Sequence, residues 1–112
     1  MNLFGELLVK TLAVFVTGYI LSAGISIPSI WVAVVIAIVL GVLNTFLKPF
    51  LVLITLPVNI FTLGLFTFVI NALIVMLAAW IVPGFIVANF WWALLFALIL
   101  SLVSGFLQMF VD

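Results

Sequence analysis

The chain has 112 residues, of which 71% are hydrophobic and 4% are charged, and its mean hydropathy is +1.83. A soluble domain is about half apolar and a quarter charged, so this composition excludes a soluble fold and indicates an integral membrane protein. The two basic and two acidic residues form no basic surface for nucleic acid. Histidine and cysteine are absent and no two carboxylates are paired, so the sequence predicts a protein that is not an enzyme.

Four apolar segments follow one another along the chain, each close to the roughly 20 residues that cross a bilayer as a helix. None of them alternates between apolar and polar residues, so helices are favoured over the strands of a barrel. The predicted spans cover residues 4–25, 30–48, 61–82 and 90–110. Residues 1–112 are therefore predicted to form a single all-α domain of four transmembrane helices.

The few charges predict how the spans are oriented. Lys10 lies near the start of the first span and Lys48 at the end of the second, so both reach the same face, which is predicted to be cytoplasmic together with both termini. Glu6 precedes Lys10 by four residues and is predicted to pair with it. The tryptophans all fall at the opposite ends of the spans, where indole rings favour the outer interface: Trp31, Trp80, Trp91 and Trp92.

The second half of the chain repeats the pattern of the first at an offset of 60 residues. Residues 28–50 match residues 88–110 at seven positions. Each unit contains two spans, so the copies would insert the same way up, as parallel repeats. The sequence thus predicts two tandem two-helix hairpins, over residues 3–50 and 63–110.

Small residues recur every four positions on the second and fourth spans. Lipid gives helices no hydrophobic reason to associate, so they associate where small side chains let their backbones approach closely. The pattern predicts two helix-packing faces, which we call the small-residue faces: Ala33, Ala37, Gly41 and Thr45 on the second span, and Ala93, Ala97, Ser101 and Gly105 on the fourth. The sequence leaves open whether these faces meet inside one chain or between chains.

Two asparagines, Asn44 and Asn71, lie within the predicted spans. An unpaired amide is costly in hydrocarbon, so both are predicted to face protein and to hold helices in register through hydrogen bonds. The alternative is that they line a pore or contact a ligand.

Residues 49–60 connect the second and third spans and are too apolar for a solvated loop and too few for a crossing. Pro49 disfavours helical geometry at Lys48, so the second span is predicted to end there. We expect a short interfacial or re-entrant helix at the inner face, with Pro57 turning the chain into the third span. The alternative is a continuous second span that is kinked at Pro49.

The stretch NTFLKPFLVLITLPVNIFTLGLFTFVIN carries Asn44, Lys48 with Pro49, Leu56 with Pro57, Thr62 to Gly64, and Asn71. It resembles the signature of the mycobacterial-type four-span phage holins, superfamily IV, and the resemblance extends over essentially the whole chain. It implies a four-span protein of the bacterial cytoplasmic membrane, with Lys48, Pro49, Pro57 and Gly64 as the inner-face motif.

Three functions fit these observations. The first is an accessory or structural component that packs in the lipid bilayer against itself, as a homo-oligomer, or against other membrane proteins. The second, implied by the family name, is a holin-like oligomer that permeabilises the membrane. The third is a subunit of a larger complex that contacts lipid or a hydrophobic cofactor, whose identity the sequence leaves unknown.

Overall fold

The computed structural model describes residues 3–62 and 64–111, and these residues are mostly helical. Leu63, where the second predicted repeat begins, lies outside the described residues, as do both ends of the predicted 1–112 domain. In chain order the elements are α1 Leu3–Ile20, β1 Ile25–Ser26, α2 Ile30–Val42, a π-helical turn Leu43–Leu47, α3 Lys48–Ile54, α4 Leu56–Phe61, α5 Phe66–Ile81, β2 Ile86–Val87 and α6 Phe90–Val111.

The long helices in the described part of the chain pack side by side as a bundle. Helix α1 packs against α2 and α6, and α5 packs against α6, α2 and α3, so that the helices form a ring. Each contributes buried side chains to one core that follows the bundle axis, including Val14, Ile36, Ile70, Ile74 and Phe96. Large apolar side chains also cover the outer surface, as expected of a protein whose solvent is lipid.

Three helical segments are long and apolar enough to cross a membrane: Leu3–Ile20, Ile30–Ile54 and Phe90–Phe110. Helix α5, Phe66–Ile81, is equally apolar and shorter, at 16 residues. The predicted all-helical membrane class is thereby confirmed.

Two strands of two residues each, which the sequence did not predict, join the loops of the two hairpins. Ser26 pairs with Ile86 and Ile25 with Val87 in antiparallel register. The first helix consequently ends at Ile20 rather than at residue 25 as predicted, because the chain must leave helical geometry to reach this pairing. The pairing gives hydrogen-bond partners to backbone groups that the helices cannot satisfy.

The two ends of the bundle differ in their side chains. The strand end, where β1 and β2 pair, also carries Trp31, Trp80, Trp91 and Trp92, each near a helix terminus that leads to a strand. The opposite end, which we call the lysine end, is the one toward which Lys10 and Lys48 lie. The tryptophans and lysines therefore separate along the bundle axis, as the sequence predicted.

Contacts at the strand end relate positions that are 60 residues apart. The Ser29 side chain accepts a hydrogen bond from the backbone N–H of Val32 at 3.3 Å, and the Asn89 side chain accepts one from that of Trp92 at 3.1 Å. Each closes the first turn of a helix in the way an N-cap does. The strand pair is likewise centred on two residues that are 60 apart. Two parallel hairpins would give this approximate symmetry, and their origin by duplication stays a prediction.

Helical geometry continues through Pro49, so the prediction that the second span ends at Lys48 is wrong. Residues 30–54 form one helical segment, the arrangement given above as the alternative. Proline has no N–H, and in an α-helix its ring would clash with the carbonyl four residues earlier. The turn Leu43–Leu47 is wider than an α-helical turn, and the N–H of Lys48 donates to the carbonyl of Leu43, five residues back. This wider turn accommodates the proline without ending the helix.

A break at Thr55 separates α3 from α4, and Pro57 lies in the first turn of α4, where its missing N–H removes no helical hydrogen bond. The turn into the third helix comes later than predicted, at Gly64. The φ angle of Gly64 is +87°, in the left-handed region that glycine adopts without steric cost. The position of residues 49–60 at the membrane interface stays a prediction.

Gly24 packs directly against the indole of Trp92, and an added Cβ would overlap the ring. We expect Gly24→Ala to lower stability by about 1–3 kcal/mol, as overpacking does, because the strand pair prevents the loop from moving away. Thermal unfolding of the protein in mild detergent measures the loss. Gly41→Ala is the matched control, since nothing lies within 4 Å of a Cβ added there. Equal melting temperatures for the two variants would contradict this account.

Candidate functional site

A cavity of about 170 Å³ lies between the helices in the half of the bundle nearer the lysine end. Every helix of the ring contributes a polar side chain to its lining. These side chains are Lys10 from α1, Asn44 from the π-helical turn, Lys48 from α3, Asn71 from α5 and Ser101 from α6. We call this site the polar cavity.

Apolar side chains close the polar cavity on the side of the strand end. They are Leu40, Ile74, Val75, Ala97 and Leu100. On each of the three helices that carry them, they lie nearer the strand end than the polar lining residue does. The cavity is therefore a polar pocket with an apolar floor, and its polar lining does not continue through the described part of a single chain.

The sequence builds one wall of the cavity by a simple spacing. Leu40, Asn44 and Lys48 follow one another at intervals of four residues, which places them on one face of a helix. The face runs from the apolar floor to an amide and then to an ammonium group. Because the helix continues through Pro49, Lys48 remains part of this wall instead of ending the span.

None of the polar lining side chains forms a hydrogen bond or ion pair with another described residue. The interhelical hydrogen bonds predicted for Asn44 and Asn71 are therefore not formed within residues 3–62 and 64–111. The predicted pair of Glu6 with Lys10 is also not formed there. Glu6 instead lines an adjacent groove between α1 and α2 and does not line the polar cavity. Both lysines consequently face the cavity without a neighbouring carboxylate in its lining.

The structure divides each small-residue face into two halves. The residues nearer the strand end are buried inside the chain: Ala33, Ala37, Ala93 and Ala97. The residues nearer the lysine end are exposed: Gly41, Thr45, Ser101 and Gly105. A Cβ added at Gly41 or Gly105 would meet nothing within 4 Å. One half of each face thus packs within the chain, and the other half is uncovered.

Sequence reasoning did not group Lys10 and Ser101 with the asparagines, and so missed the cavity. The four-residue spacing of Asn44 and Lys48 was a usable signal for one wall. It also missed two buried hydroxyls without hydrogen-bond partners, those of Thr11 and Ser104. In contrast, the buried hydroxyl of Thr17 donates to the carbonyl of Ala13 at 2.6 Å, the usual solution within a helix.

Comparison with known proteins places these features in a family. Residues 1–106 match the family described as mycobacterial 4 TMS phage holin, superfamily IV. This chain belongs to that family. The resemblance stated from the central motif is thus confirmed.

The relatives that share this sequence are themselves without a described activity. An uncharacterized protein of Streptomyces coelicolor is 43% identical over 82 residues, a match that covers 70% of this chain and 66% of the relative. The uncharacterized membrane protein YvlD of Bacillus subtilis is 41% identical over 98 residues, covering 87% of this chain and 81% of the relative. No solved structure matches the chain.

The polar cavity should be reached by water. The natural chain has no cysteine, so the single thiol in Ser101→Cys reports its own surroundings. We expect it to react at least tenfold faster with a charged methanethiosulfonate reagent than the thiol in Leu102→Cys, which lies on the outer surface of the bundle. The thiolate is the reactive form and is disfavoured in hydrocarbon. Equal rates in proteoliposomes would contradict a water-accessible cavity.

Proposed function

We propose that this protein is a noncatalytic component of the bacterial cytoplasmic membrane that associates with itself or with other membrane proteins. The observation that carries the proposal is the uncovered half of each small-residue face, above all the open space beside Gly41 and Gly105. In lipid, such a surface favours close approach of another helix. The absence of histidine and cysteine from the sequence supports a role without catalysis.

The proposal includes four membrane crossings. At 1.5 Å per residue, the 16 residues of α5 extend about 24 Å, less than the roughly 30 Å of a hydrocarbon core. Helix α5 nevertheless packs along α6, which is long enough to cross. Adjacent packing at the same depth supports α5 as the third crossing, with the residues before Phe66 completing it at the lysine end.

The lysine end, with both termini, is proposed to face the cytoplasm, because positively charged residues favour that side. The thiol of Ser101→Cys is then expected to react with an impermeant reagent in inside-out vesicles and to be protected in intact spheroplasts. Ser26→Cys, exposed at the strand end, is the matched control and should show the opposite pattern. The reverse result for both variants would place the lysine end outside.

Self-association is tested by filling the open space on the uncovered faces. We expect Gly41→Leu and Gly105→Leu to weaken association of the purified protein at least tenfold, because a larger side chain keeps the helices apart. Native mass spectrometry in a mild detergent, over a dilution series, gives the fraction of oligomer. Ala37 and Ala97 are unsuitable positions for this test, because both are buried inside the chain.

Val35→Leu provides the matched control, since Val35 is exposed on the same helix as Gly41 and lies outside its face. It should leave the oligomer unchanged. A wild-type protein that is monomeric at every concentration would contradict self-association. Other polypeptides that remain bound after purification from the native membrane would instead make the chain a subunit of a larger complex.

A holin-like lesion is the second candidate function, and membership of the phage holin family favours it. The apolar floor of the polar cavity blocks a polar path through one chain, so a lesion would have to form between chains. Release of a trapped dye from vesicles that rises steeply with protein density, and is lost in Gly41→Leu, would support this candidate. Tight vesicles containing oligomers would support the accessory role.

A further inference from the structure

We propose that the polar cavity binds a phosphate group, either the headgroup phosphate of an anionic phospholipid or inorganic phosphate. The proposal depends on the side chains that line the cavity and not on the self-association proposed above. Two ammonium groups, two amides and one hydroxyl converge there from all sides of the helix ring. None of them has a hydrogen-bond or ion-pair partner among the described residues.

Charge is the first reason for an anionic ligand. Lys10 and Lys48 line the same cavity, and no carboxylate shares its lining. Two like charges repel each other strongly where the surroundings are less polar than water, and charged groups at membrane depth require a partner. An anion between the two ammonium groups converts this repulsion into two attractions. A cation would add to the repulsion, and a neutral quinone or pigment would not relieve it.

The arrangement of donors selects a phosphate among anions. Each lysine offers three N–H donors, each asparagine amide two, and the serine hydroxyl one. A planar carboxylate has two oxygens, which cannot meet donors that come from every side of a ring of helices. A phosphate group directs its oxygens toward the corners of a tetrahedron and accepts charge-assisted hydrogen bonds from several directions.

The size of the polar cavity also fits. A water molecule occupies about 30 Å³ in the liquid, so a cavity of about 170 Å³ has room for several. A phosphate group, with five heavy atoms, fits in that volume. The apolar floor limits how deeply the group can enter, so the phosphate would lie at the level of the asparagines, between the floor and Lys48.

The test measures binding of two probes to the purified full-length protein in an uncharged detergent. One probe is dioctanoyl phosphatidylglycerol and the other is inorganic phosphate, with dioctanoyl phosphatidylcholine as a lipid of no net charge. Isothermal titration calorimetry gives the affinities. Saturable one-to-one binding of phosphatidylglycerol alone identifies a lipid headgroup as the ligand, and comparable binding of inorganic phosphate identifies the free ion.

Variants separate a specific site from general attraction to lysines. We expect Lys10→Gln and Lys48→Gln each to weaken binding at least tenfold. Asn71→Leu leaves every charge in place and is expected to weaken binding about fivefold, which general electrostatic attraction would not do. The double variant Lys48→Gln, Leu53→Lys keeps the net charge and moves it to an exposed position outside the cavity. It should bind as weakly as Lys48→Gln alone.

Circular dichroism and the melting temperature without ligand show that each variant is folded. The proposal is overturned if neither probe binds the wild-type protein. It is equally overturned if Asn71→Leu binds as tightly as the wild type, or if the relocated lysine restores binding, because attraction to the cavity would then be unspecific.

Discussion

The bundle depends on the fact that burying apolar surface against another helix gains little when the alternative is lipid. Contacts must then come from close packing, and the structure obtains it where side chains are smallest. Ala33 and Ala93 are fully buried at equivalent places on α2 and α6, and Gly24 admits the indole of Trp92 against the loop backbone. Where α2 extends beyond Leu40, from Gly41 to Ile54, none of its residues is buried. Internal packing thus ends where the polar cavity and the uncovered faces begin.

Much of this fold could be predicted from sequence because the lipid solvent imposes local rules. Apolar segments of the required length had to be helical, and the positions of lysine and tryptophan separated the two ends of the bundle. The end of α1 at Ile20 could not be predicted in this way, because it depends on pairing between loops that are 60 residues apart. Pro49 was misread for a different reason: the local rule is correct for an α-helix, and a wider turn removes its premise.

The candidate site shows the same limit more sharply. Spacing along one helix correctly placed Asn44 with Lys48 on one face, but spacing alone also assigned Lys10 to Glu6. The packed bundle brings Lys10 to the asparagines of two other helices. Which faces of different helices meet is a property of the tertiary structure, and small side chains specify that meeting only weakly in so apolar an alphabet. Polar residues that look isolated in the sequence are therefore neighbours in the fold.

The antiparallel strand pair has a consequence for distant parts of the molecule. The two hairpins are joined covalently at the lysine end and by backbone hydrogen bonds at the strand end. Sliding one hairpin along the other would break the pairing of Ser26 with Ile86, and no side-chain packing between smooth apolar helices sets the axial position as sharply. These four strand residues therefore act as a depth gauge. They keep Asn71 and Ser101 of the second hairpin level with Asn44 of the first, a bundle length away from the pairing itself.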